Sequence, residues 1–68
     1  GMKQLWLLKV MTKGYDAPAR FFVAAADEQE ARDFCEDTET LVLEVVPPAE
    51  VASYVATELG GLALVAGE

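Results

Sequence analysis

The segment KQLWLLKVMT, residues 3–12, carries large apolar side chains on both of its alternating faces. Trp6, Leu8 and Val10 share one face; Leu5, Leu7 and Met11 share the other, with Lys3 and Lys9. Successive strand side chains point to opposite sides, and a strand with one wet face would alternate apolar with polar. The pattern therefore predicts a strand that is either central with both faces covered, or covered on one face by another chain.

Residues 13–19, KGYDAPA, read as a loop, because Gly14, Asp16 and Pro18 are turn formers. A second strand follows over residues 20–26, RFFVAAA, with Phe21, Val23 and Ala25 on one face and Phe22 and Ala24 on the other. Asp27 stands where a helix N-cap belongs, with Glu30 three residues on, in the spacing of a capping box. This predicts a helix over residues 28–35 with Ala31, Phe34 and Cys35 as its apolar stripe. A polar connection, residues 36–40, leads to a third strand over residues 41–46. Strict alternation puts Leu41, Leu43 and Val45 on one face, and Val42, Glu44 and Val46 on the other.

Pro47 and Pro48 end that strand, since neither can donate to a ladder, and Pro48 suits the first turn of a helix. Val51, Val55 and Leu59 recur every four residues and predict a helix over 49–59 closed by Gly60. The rival is a strand through 51–57 with a turn at Gly60-Gly61. Residues 62–66, LALVA, read as a last short strand. The expected architecture is a single α+β domain over residues 2–68, with Gly1 set aside as a tag remnant. It has a small sheet of three to four strands in the order β-β-α-β-α-β, and helices on one face.

The run YDAPARFFVAAADEQEAR resembles a pattern in short phage and prophage-type bacterial proteins. The matching residues are Tyr15, Asp16, Phe22, Val23, Ala25, Glu28, Glu30, Ala31 and Arg32. Proteins of that kind are mostly of unknown function, so the resemblance implies a hairpin followed by a capped helix and no activity.

Charge narrows the function classes. Residues 1–32 hold five basic and four acidic residues, a balance of +1; residues 33–68 hold eight acidic and no basic ones, a balance of −8. Phosphate and anionic-membrane binding need clustered Lys and Arg, so neither nucleic acid nor membrane is an expected partner. No run of about 18 apolar residues predicts a membrane span. A single cysteine and no visible secretory signal point to the cytoplasm.

Histidine is absent, which removes the usual general base and the commonest zinc ligand. Cys35 stands near a helix C-terminus beside Glu36 and Asp37, which opposes a thiolate. Ser53 lacks the Gly-x-Ser-x-Gly elbow, and Gly60-Gly61 is not followed by a phosphate-loop lysine. Asp27, Glu28, Glu30, Asp33, Glu36, Asp37 and Glu39 crowd into thirteen residues, but not with the spacing of a calcium loop. No catalytic residue, metal or cofactor is expected.

The mixed group Lys13, Tyr15, Asp16 and Arg20 is the candidate binding site, because Tyr and Arg are frequent anchors at interfaces. Two short helices on one side of the sheet would leave an apolar face bare. The expectation is therefore a homodimer, with Leu5, Leu7, Met11, Phe22 and Val42 as interface candidates. The functional reading is a non-enzymatic protein–protein interaction or oligomerisation module. The alternatives are a small-ligand regulatory module at a subunit interface and an acidic decoy that mimics nucleic acid.

Overall fold

The computed structural model describes residues 2–61. The strand expected over residues 62–66 lies outside the described residues. Within them the order is β1 (Gln4–Thr12), β2 (Ala19–Ala25), α1 (Glu28–Cys35), β3 (Thr40–Val46) and α2 (Pro48–Glu58). The three strands form one antiparallel sheet in the order β2-β1-β3, so β1 is central. The α+β class stands as expected, with three strands among the described residues. The segment after the prolines is a helix, not the rival strand.

The helices do not share one face, as the sequence pattern suggested. Trp6, Leu8 and Val10 form one core with Ala25, Ala31 of α1 and Val42. Leu7 forms a second core on the opposite side with Val46, Val51 and Val55, the last two from α2. The reason lies in β1. Its two apolar faces both need cover, and one helix on each side supplies it. Leu7 and Leu8, adjacent in sequence, are 1% and 0% exposed, each under a different helix. The Trp6 indole N–H also finds a partner there, donating to the Ala25 carbonyl at 2.9 Å.

Beta-3 departs from simple alternation. Lys9 pairs with Glu44, but Val10 pairs with Val42, so Leu43 is the extra residue of a bulge. The bulge resets the faces. Val42 and Val45 both turn to the α1 side, while Val46 turns to α2. Leu41 and Leu43 are left exposed. The expected grouping of Leu41 and Leu43 with Val45 is thereby corrected.

Local chemistry explains the first helix. Asp27 has extended backbone and its side chain accepts from the Glu30 N–H at 2.9 Å. Glu30 answers by accepting from the Ala26 N–H at 2.7 Å, one residue before the cap. An unmodified capping box would return this bond to the cap residue itself. Glu28 and Arg32 pair at 2.9 Å one turn apart. Alpha-2 begins on Pro47 at the cap and Pro48 in its first turn, with no side-chain cap bond. Proline is tolerated there because the N–H it lacks would have no intrahelical partner.

Candidate functional site

Beta-2 is a strand that the described elements leave partly uncovered. Among the described residues it is an outer strand, paired with β1 on one side only. Alpha-1 touches all three strands, whereas α2 lies over β1 and β3. Phe21 pairs with Leu8 and so shares the α1 side; Phe22 pairs with Leu7 and shares the α2 side. They are 50% and 42% exposed. Two grooves flank the strand. On the α1 side one of about 560 Å³ includes Val10, Phe21, Val23, Phe34 and Cys35, with Thr12 and Thr40 at its end. The threonine hydroxyls bond each other at 3.2 Å. On the α2 side a groove of about 530 Å³ lies between the sheet and α2.

The expected binding group is only partly brought together. Lys13, Tyr15 and Asp16 sit exposed in the β1–β2 loop, whose turn is closed by the Tyr15 N–H bonding the Thr12 carbonyl at 3.0 Å. Arg20 stands apart on β2. It donates from Nε to the Tyr54 hydroxyl at 3.2 Å, and Tyr54 in turn donates to Glu44 Oε1 at 3.4 Å. Arg20 therefore belongs to a bridge from β2 across α2 to β3. Glu44 and Tyr54 went unrecognised in the sequence because they meet through the tertiary fold.

The interface candidates also divide. Leu5 and Phe22 are exposed and Met11 half-buried. Leu7 is buried beneath α2 and Val42 beneath α1, so neither presents a surface. Those two assignments are corrected by the two-sided cover of the sheet and by the bulge. Phe34, placed by the sequence in the inner stripe of α1, is instead 65% exposed. Ala31 is the buried residue of that helix. Phe34 lies three positions from Ala31, at the border of a stripe too narrow to hold it.

Most acidic residues of the 27–39 cluster are engaged locally. Besides the cap, Asp33 accepts from Gln29 at 2.9 Å, Asp37 from the Glu39 N–H at 2.8 Å, and Glu36 from the Val42 N–H at 3.5 Å. Among the described residues no three acidic or cysteine side chains gather as a metal site. Partial burial pushes the Cys35 thiol above its ordinary pKa, which disfavours the reactive thiolate. No helix among the described residues is long and apolar enough to cross a membrane.

No protein family model, no curated protein and no solved structure matches this chain.

Proposed function

We propose that the protein is a small non-enzymatic interaction module that pairs with a second copy of itself along β2. One observation carries this reading: among the described residues β2 is a regular, open-edged strand with an exposed phenylalanine on each face. An unpaired edge offers backbone donors and acceptors to another strand, and edges are commonly blunted by bulges or charge. The β3 edge has both devices, the bulge at Leu43 and the neighbouring Glu44. Beta-2 has neither a bulge nor an acidic residue; its one charge, Arg20, is directed to Tyr54. Interface centres are depleted of charge and enriched in aromatics, and β2 fits that composition. Strand addition would join two sheets and let Phe21 and Phe34 cover each other's grooves.

The ligand-module reading draws less support. The groove beside Phe21 is mostly apolar, and its two threonine hydroxyls are bonded to each other. The decoy reading is weakened by the local engagement of the carboxylates.

Light scattering at micromolar concentration tests the proposal. The expected mass is twice the 7.3 kDa of one chain. Phe21→Lys should return it to one chain without loss of the far-UV spectrum. A mass of one chain that persists on concentrating the sample would refute self-pairing.

A further inference from the structure

The α1-side groove is lined by Phe21 and Val23 of β2 and by Phe34 and Cys35 of α1, so it reaches the outer strand. No residue that lines it is acidic or basic, although the chain carries a net charge of −7. Phe21 faces this side because it pairs with Leu8, and Val23 because it pairs with Trp6; Leu8 and Trp6 belong to the core under α1. Arg20 pairs with Lys9 and bonds Tyr54 of α2, so the one charge of β2 lies on the other side.

We propose that the second copy lies antiparallel along β2 with both α1 helices on one side of the joined sheet, and that Phe34 of each copy closes the α1-side groove of the other. This rests on pairing along β2 and adds its direction and its anchor. Identical strands that meet at one edge have two symmetric arrangements. A two-fold axis perpendicular to the sheet pairs them antiparallel and joins like faces. A two-fold axis along the strands pairs them parallel and turns one copy over. The second would lay Arg20 of one copy beside the uncharged groove of the other, where a charge loses water and meets no acid. The first keeps Arg20 with Tyr54 and brings uncharged side chains together on the α1 side. It also continues the antiparallel ladder of the sheet, the slightly more stable pairing per residue. Area supplies the need for an anchor. A stable pair buries about 800 Å² on each partner, more than a seven-residue strand edge made mostly of backbone offers. Phe21 and Phe34 are 50% and 65% exposed, and at about 150–250 Å² for a whole phenylalanine they supply roughly a quarter of that area.

Sedimentation equilibrium of the full chain and its variants tests the anchor. Phe34→Ala should weaken pairing about thirtyfold, the change typical of an aromatic hot spot, with the far-UV spectrum unchanged. Leu43→Ala removes an exposed side chain on β3, the opposite outer strand, and should leave the dissociation constant unmoved. Nuclear magnetic resonance of a mixture of two differently labelled samples tests the direction. The expected result is a nuclear Overhauser contact between Phe34 of one chain and Phe21 of the other. Contacts from Phe34 to Phe22 or Leu5 of the other chain would reveal the parallel, inverted arrangement and overturn the proposal. So would a dissociation constant unchanged by Phe34→Ala. If Phe21→Lys separates the copies while Phe34→Ala does not, pairing along β2 stands and this inference falls. A parent chain that stays at the mass of one copy overturns both.

Discussion

Lys3 Nζ and Glu30 Oε1 meet at 2.8 Å although 27 positions separate them in the chain. The contact ties the start of β1 to the first turn of α1. The same carboxylate accepts the Ala26 N–H, so one oxygen serves the strand, the cap and the helix together.

This arrangement sets a pH dependence. The Lys3 hydrogen bond first, and the Ala26 N–H second, hold the Glu30 carboxyl below its ordinary pKa. A carboxylate lowered in the folded state adds stability above its unfolded pKa, and that stability is lost as pH falls through the folded value. Both partners are exposed, so the effect is small and screened by salt. Lys3→Met should lower the Tm slightly at neutral pH. The difference from the parent should shrink as the sample is acidified through the carboxylate range. A Tm difference that grows on acidification would contradict this assignment.

The cap at Asp27 gives a second expectation. Asp27→Ala leaves the Glu30 N–H without its partner and should cost about 0.5–2 kcal/mol. Asp27→Ser, which keeps an acceptor, should recover most of it. Denaturant midpoints of the two variants are the measurement.

The bulge in β3 predicts a contrast between leucines that look alike in the sequence. Leu8 is fully buried, and Leu8→Ala should cost about 2–5 kcal/mol, enough to threaten a domain of this size. Leu43 is the extra, exposed residue, and Leu43→Ala should stay within about 0.5 kcal/mol. Equal losses at both positions would mean that β3 pairs without the bulge.

Mg²⁺ and Ca²⁺ should not change the stability of the fold. A specific site occupied at a hundredfold excess over its Kd would add about 2.7 kcal/mol to the folded state. The carboxylates of Asp27, Glu30, Asp33 and Asp37 are instead engaged in capping, side-chain and turn hydrogen bonds. Millimolar Mg²⁺ or Ca²⁺ should therefore leave the Tm unmoved; a saturable rise with one ion would show a site.

Local features were legible in the residues themselves. Asp27 and Glu30 announced the helix start because a cap is decided within four positions. Pro47-Pro48 and the Val51–Val55 spacing did the same for α2. What escaped was set by distant partners. The side on which α2 settles depends on Leu7, which α2 buries. The bulge at Leu43 has no glycine or other local mark, so strict alternation misplaced half of β3. The bridge from Arg20 through Tyr54 to Glu44 joins three elements that only the fold brings together. Binding-site expectations in the β1–β2 loop rested on residue type. The exposed phenylalanines of β2 required knowing which strand lies outermost.

Every other element among the described residues packs against β1. It is the shared wall of both cores and the pairing partner of both outer strands. Among the described residues no portion can detach with a core of its own, because each core is lost when β1 departs. Unfolding should therefore be all-or-none. In hydrogen exchange the β1 amides that are bonded within the sheet should exchange only through opening of the whole molecule. Outward-facing amides of β3 should escape sooner by local fraying, and those of β2 should do so only where the strand is not paired with a second copy. A protease would then meet either the intact molecule or a fully open chain, with no stable half between them.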